Sequence, residues 1–288
     1  MLQWIEYFVG RALLAALQAV SYRTCLRLAR KIGRIVYALD VTHRKRTREH
    51  LKLAYGERSD LDRLTRRVFE TMALHAAEFV HLPRRGYRGL KIENAEVLEP
   101  TRESGRGMVI VSAHLGPFSL LGLLARSCGV RASVVLKRQK NALLLAWATE
   151  QINRHFGVEV VLKHDARDQA ADILRRGRAL VLFADQHPIS GGIPATFFGL
   201  PVDAAAGPTV FARRFDCPLF VITAVFGPDG VPRARVEGPV STEGTAEEIS
   251  ARWLGLLEAR IREHPEQWMW MHRRWRKRPA LEPASSPS

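Results

Sequence analysis

Cysteine is scarce in this chain: Cys25, Cys128 and Cys217 stand far apart, with no CxxC spacing. That pattern argues against a disulfide framework and against a thiolate metal site, and suits reduced thiols in a protein facing a reducing compartment. The ten histidines include no HExxH, so metal-ligand spacing is missing and no metal is expected. A phosphate-cradling loop is missing too, because Gly105-Arg106-Gly107 lacks a third glycine and precedes a strand candidate instead of following it. No GxSxG elbow presents a nucleophilic serine. What remains is histidine chemistry without a metal or a resident cofactor.

Long apolar runs are also lacking. Within residues 2–39, Trp4, Ile5, Tyr7, Phe8, Val9, Leu13, Leu14, Leu17 and Val20 are interrupted by Glu6, Arg11 and Gln18. Nothing there approaches the ~20 apolar residues that span a bilayer. Glu6 precedes the apolar part and no small-residue cleavage site follows it, so a signal peptide is not expected. The segment reads as an amphipathic helix, with Arg23, Arg27, Arg30, Lys31 and Arg34 at helical spacings. A helix of that kind lies in the headgroup plane, apolar face down. An ordinary packing helix is the competing reading.

Charge is present in excess of one sign, at +15 overall. Such a field attracts polyanions: nucleic acid, anionic headgroups or an acidic carrier protein. The run His43-Arg44-Lys45-Arg46-Thr47-Arg48 is basic, but no zinc finger, RNA-recognition signature or helix-turn-helix accompanies it. No nucleic-acid partner is expected; a solvated helix face or a phosphate-lipid contact fits the run better.

A helix is predicted over 59–82, with Ser59 as N-cap and Asp60 and Asp62 in its first turn. Pro83 and the turn from Gly86 to Gly89 are expected to end this helical front third. Beyond it the chain alternates in the α/β manner. Strands are predicted at 107–112, 131–136, 158–162, 179–183 and 218–226, with helices near 117–127, 141–155, 166–176 and 206–215. Leu180-Val181-Leu182-Phe183 is apolar without alternation, which marks a strand buried on both faces. The tail from Pro279 to Ser288 is of low complexity.

The chain is organised around 109–121. A run of β-formers breaks at Ser112-Ala113-His114-Leu115-Gly116 and resumes as an apolar helix with Pro117 near its first turn. His114 therefore sits where a buried strand hands over to a helix, a position that faces a ligand crevice in open α/β sheets. A helix-capping or core histidine is the bland alternative at this point.

Ser112-Ala113-His114-Leu115-Gly116 with Phe118 resembles the histidine motif of the glycerolipid acyltransferase superfamily, most nearly the lipid A branch of lauroyl and myristoyl type. Asp185-Gln186, Gly191-Gly192 to Phe197-Phe198-Gly199, Gly207-Pro208, Pro265-Glu266-Gln267-Trp268 and His272-Arg273-Arg274 follow in the same order. The resemblance covers nearly the whole chain. One departure is clear: where the family carries Glu or Asp after the histidine, this chain has Ser119.

The resemblance implies a mostly parallel central sheet flanked by helices over 86–278, an N-terminal helical membrane-contacting segment over 1–85 and a flexible tail at 279–288. It implies that His114 is the base for acyl transfer from an acyl carrier protein or coenzyme A thioester to a hydroxyl. The acceptor would be a lipid A precursor, a related glycolipid or a lysophospholipid. The reaction would run at the cytoplasmic face of a bacterial inner membrane, on a peripherally bound protein. Ser119 stands in the acid's place and can hydrogen-bond an imidazole, but carries no charge to offset the cation. In another enzyme class a neutral residue in the orienting place costs roughly 10⁴ in turnover. Three outcomes are open: a slow enzyme, a carboxylate brought from elsewhere, or a lipid-binding or assembly protein that keeps the fold without catalysis. Glu78, Glu150, Asp185 and Asp203 lie in segments that border the site, and the sequence does not rank them. Lys137, Arg138, Arg154, Asp185, Gln186, Phe198 and Gly199 match binding positions of the family. For Phe198 and Gly199, a turn with an aromatic core plug is the structural alternative.

Overall fold

β-branched and other apolar residues collect in short runs through the middle of the chain, and each run becomes a strand of one sheet. The computed structural model describes residues 2–85, 90–137, 139–189 and 191–276. The expectations for 86–89, Arg138 and 279–288 lie outside the described residues.

Four helices come first: α1 (Leu2–Ala19), α2 (Tyr22–Leu39), α3 (Val41–Tyr55) and α4 (Leu61–Arg85). The single amphipathic helix expected over 2–39 is two, because Ser21 accepts a hydrogen bond from Thr24 N–H and starts α2 afresh. Helix α4 continues past Pro83 to Arg85. Near a helix end the missing proline N–H costs one hydrogen bond, so the helix survives it. The basic run lies on α3 and is partly used internally. Arg44 donates to the Tyr37 and Ala38 carbonyls, Arg46 to the Met271 carbonyl, and Arg48 pairs with Asp62 at 2.7 Å.

The α/β part follows as β1 (Lys91–Glu93), α5 (Glu99–Glu103), β2 (Met108–Ser112), α6 (Leu121–Ser127), β3 (Ala132–Leu136), α7 (Ala142–Phe156), β4 (Glu159–Leu162), α8 (Ala166–Arg175) and β5 (Ala179–Phe183). A hairpin comes next, β6 (Gly192–Phe197) and β7 (Leu200–Ala205), then α9 (Gly207–Arg214), β8 (Leu219–Phe226), β9 (Pro232–Val240) and α10 (Ala246–Glu263). All five predicted strands and the helices between them form within a residue or two of their expected bounds, except that 117–127 begins as a 3-10 turn over Phe118–Leu120.

The sheet has strand order β1-β9-β8-β2-β5-β3-β4. Strands β8, β2, β5, β3 and β4 run parallel, β9 runs antiparallel to β8, and β1 is parallel to β9. Both faces of β2 are covered. Val109 and Val111 pack with Ile173 and Leu174 of α8 and Trp253 and Leu254 of α10. On the other face Ile110 packs with Leu120, with Leu124 of α6 and with Phe156 of α7. That two-sided burial explains why β2 and β5 read as unbroken apolar runs. The central sheet is thus mostly parallel and flanked by helices. No helix among the described residues is long and apolar enough to cross a membrane.

Candidate active site

Strands β2 and β5 are neighbours, with Ser112 opposite Phe183. The Ala184 N–H donates to the Ser112 carbonyl at 3.0 Å, so the pairing persists one step beyond the strands. The next residues out are His114 and Asp185. From β2 the chain leaves through α6 towards β3, whereas from β5 it leaves through the hairpin and α9 towards β8, on the opposite side. Adjacent strands whose connections diverge open a crevice at their carboxyl ends. His114 and Asp185 stand on its lip.

The turn after His114 is held tightly. Gly116 has φ +56°, and a Cβ there would lie 2.1 Å from the Ala224 carbonyl oxygen, so no side chain fits. Its N–H donates to the Gln267 carbonyl at 3.0 Å, and Leu115 forms a β-bridge with Trp268.

Asp185 accepts three hydrogen bonds. The His114 backbone N–H reaches Oδ2 at 3.0 Å, the Trp268 indole N–H reaches the same oxygen at 2.9 Å, and His114 Nδ1 lies 2.9 Å from Oδ1. The Asp185 side chain is 1% exposed and that of His114 23%. Burial pushes the carboxyl towards neutrality, but the imidazole's charge and hydrogen bond, with the indole and backbone donors, hold it below the usual carboxylate range. Burial likewise pulls His114 down, and Asp185's charge and hydrogen bond outweigh that pull, leaving the imidazole above its ordinary value. With Nδ1–H donated to Asp185, the lone pair is on Nε2, the atom that accepts a proton. The ring sits against Phe118 and Phe183, at centroid distances of 5.2 and 5.0 Å.

Ser119 makes no hydrogen bond to His114. It lines an apolar pocket instead, together with Phe79, Phe118, Gly122, Val134, Phe156 and Phe183 among others. The pocket holds about 610 Å³ of space free of atoms, its open mouth included. Among its lining residues Ala132, Phe156 and Val158 are each at most 5% exposed, while Phe79 is 44% exposed. Gly122 lets α6 approach Phe156, since a Cβ there would meet Phe156 Cβ at 2.8 Å.

The remaining candidates are dispersed. Gln186 lies beside the pair, its side-chain Nε2 3.3 Å from His114 Nδ1, and with the Nδ1 proton donated to Asp185 these two nitrogens do not bond each other. Lys137 is exposed just beyond β3. Arg154 is exposed on α7, paired with Glu150 at 2.6 Å, along a separate groove between α7 and β4. Phe198 and Gly199 form the β6–β7 turn at φ +55° and +74°. The Phe198 ring is buried against Trp268, Trp270 and Trp275, the core-plug arrangement. Of the other acids, Glu78 is buried on α4 and accepts from the Tyr22 hydroxyl, and Asp203 lies on β7. Two contributions were missed from sequence: the Trp268 indole, although that residue lies in a quoted motif, and the pocket walls, whose apolar residues look like any core.

A family profile described as bacterial lipid A biosynthesis acyltransferase matches residues 1–277. The lipid A biosynthesis palmitoleoyltransferase of Escherichia coli (strain K12) is similar at 21% identity, covering 97% of this chain and 93% of that protein. The lipid A biosynthesis acyltransferase of Shigella flexneri is similar to the same extent, at 21% identity over 97% and 93%.

Proposed function

Since the chain belongs to the bacterial lipid A biosynthesis acyltransferase family, we propose that it moves a fatty acyl group from a thioester to a hydroxyl of a lipid A precursor or related glycolipid or lysophospholipid. The donor in this reading is an acyl carrier protein or coenzyme A thioester. The observation that carries the reading is the His114–Asp185 pair at the sheet's switch point beside an apolar pocket.

An alcohol is a poor nucleophile until a base takes its proton. His114 Nε2 accepts that proton as the alcohol oxygen bonds to the thioester carbonyl carbon. The tetrahedral intermediate then collapses with cleavage of the C–S bond, and the imidazolium returns the proton to the leaving thiolate. Asp185 stays ionised throughout, fixing the ring's tautomer and offsetting the cation. The pocket takes the acyl chain, and burial of each CH₂ favours binding by about 0.8 kcal/mol. Asp185 supplies the carboxylate whose absence at Ser119 spoke for a non-catalytic lipid-binding protein, so the enzyme reading comes first.

A peripheral place on the inner membrane's cytoplasmic face suits the front helices. Trp4, Ile5, Phe8 and Val9 are exposed on α1, and Leu28, Ile32, Ile35 and Leu39 form an exposed stripe on α2 at helical spacing. Arg23, Arg27, Arg30, Lys31 and Arg34 occupy another side of α2, all exposed. The test is to incubate the purified protein with acyl thioester and lipid acceptors and identify the product by mass spectrometry. Acylated lipid from the wild type and none from folded His114→Ala is the expected result. Equal product from both would overturn the mechanism.

A further inference from the structure

The five parallel strands all point their carboxyl ends at one edge of the sheet, the edge that carries His114 and Asp185. On the next two strands, β3 and β4, the same edge is strongly basic. Lys137 follows β3, Lys140 precedes α7, Lys163 follows β4, and Arg167 lies in the first turn of α8. All four are exposed, and none forms an ion pair among the described residues. Three acids lie nearby: Asp165 is occupied by His164 at 3.2 Å, Glu6 accepts from the Asn141 amide at 2.9 Å, and Asp168 is exposed in the first turn of α8, leaving the cations in excess. The Lys163 N–H donates to the Leu136 carbonyl at 2.8 Å, which ties the two loops into one rim.

An apolar nose adjoins this rim. The Asn141 amide donates to the Gln3 carbonyl at 2.8 Å and the Gln3 amide to the Lys140 carbonyl at 3.3 Å, fixing the first turn of α1 beside the loop. From there α1 presents Trp4 and Phe8, 53% and 62% exposed, with their rings stacked at 5.8 Å and Tyr7 set edge-on to both. Exposed aromatics beside unpaired lysines are the composition that settles at a bilayer's headgroup level.

We infer that the rim of Lys137, Lys140, Lys163 and Arg167, with the Trp4–Phe8 nose, is the protein's docking edge for an anionic phospholipid surface, and that docking there turns the His114 crevice towards the headgroups. The inference rests on the membrane-surface reading above and extends it from the front helices to the catalytic edge. With strands spaced about 4.8 Å apart, β2 lies only about 14 Å from β4. The rim is therefore close enough to hold His114 over the layer in which a lipid hydroxyl is found. An acidic protein is the other partner such cations suit. The adjoining aromatics favour lipid, because they have no role in a charge-only contact.

Vesicle sedimentation tests this without any turnover, so it stands or falls apart from the chemistry. The probes are vesicles of phosphatidylcholine alone and of equal parts phosphatidylcholine and phosphatidylglycerol. At about 1 kcal/mol per cation near an anionic surface, Lys137→Ala/Lys163→Ala should weaken binding to the mixed vesicles roughly thirtyfold. The control Arg126→Ala/Arg175→Ala removes equal charge from exposed positions at the opposite edge and should change binding less than threefold. Lys137→Arg/Lys163→Arg should bind as the wild type, and Trp4→Ala/Phe8→Ala should weaken binding to both vesicles. Circular dichroism confirms that each variant is folded. Equal loss from both charge pairs would reduce the effect to net charge and overturn the docking edge, as would wild-type binding by Lys137→Ala/Lys163→Ala. If that variant binds vesicles normally but fails only with a protein-borne donor, the rim serves an acidic protein and the inference is wrong.

Discussion

His114 and Asp185 are 71 residues apart in the chain, and Nδ1 of one lies 2.9 Å from Oδ1 of the other. Nothing local brings them together. Parallel pairing of β2 and β5, carried past Ser112 and Phe183, delivers both side chains to the same lip. The acidic partner of this imidazole comes through sheet register, not from the turn that follows it, where Ser119 stands.

Asp185→Asn should therefore be the severe substitution, costing roughly 10³- to 10⁴-fold in acyl transfer by analogy with triads that lose their orienting acid. Ser119→Ala should stay within a few fold of wild type. Ser119→Glu should lower activity, because it places a second carboxylate in the wall of an apolar pocket. Initial rates of the three variants decide the matter: a rise with Ser119→Glu, or little effect of Asp185→Asn, would mean that the catalytic pair has been misassigned.

The raised pKa of His114 sets a pH dependence. A base must be neutral to accept a proton, so kcat/KM should climb through a midpoint above histidine's ordinary ~6.5. In Asp185→Asn the counter-charge is gone and burial remains, so the midpoint should fall below the wild-type value. NMR titration of the His114 ring reads the same shift without turnover.

His75 on α4 is buried, its ring nitrogens have no hydrogen-bond partner, and burial pushes its pKa down to about 3. Between that value and ~6.5 the unfolded chain binds a proton that the native state does not, so stability falls as pH drops through this window. At pH 5 the loss is roughly 2 kcal/mol. His75→Phe, which keeps a ring against Phe226, should flatten the fall. Urea midpoints at pH 7 and pH 5 measure it, and an unchanged slope would point to another group.

Phe156 is a buried wall of the pocket, so shortening it should lengthen the acyl chain that is accepted. Phe156→Ala is expected to shift the preferred donor by two or more carbons, at a stability cost of about 3–5 kcal/mol. Phe156→Leu is a milder version should that cost prove too great. Competition among donors of different chain length reads the change, and an unaltered preference would place the chain elsewhere.

The parallel strands were legible because burial on both faces writes an unbroken apolar run. Sheet edges were not. Strand β9, unassigned from sequence, contains Pro232, Gly238 and Pro239 around its two arginines, yet it pairs along β8. Helix α10 was missed although Thr245 and Glu248 form a capping box. His114 was legible from its junction, whereas Asp185 stood unranked among four acids, since only the order of strands decides which of them reaches the imidazole. Lys137 was legible as a cation but not as part of a rim, because Lys163 joins it through the β3–β4 pairing.

The segment from Gln267 to Arg274 grips both halves of the site: Gln267 holds Gly116, Trp268 holds Asp185, and Arg274 donates to the Gln186 and Asp203 carbonyls at 3.2 and 2.8 Å. A ribosome makes this segment long after His114. A nascent chain long enough to expose the apolar pocket and the imidazole still lacks the clamp on its carboxylate. On the proposed mechanism the pair is completed late in biosynthesis, and a chain broken off before residue 267 would carry His114 and Asp185 without the indole that holds the carboxylate.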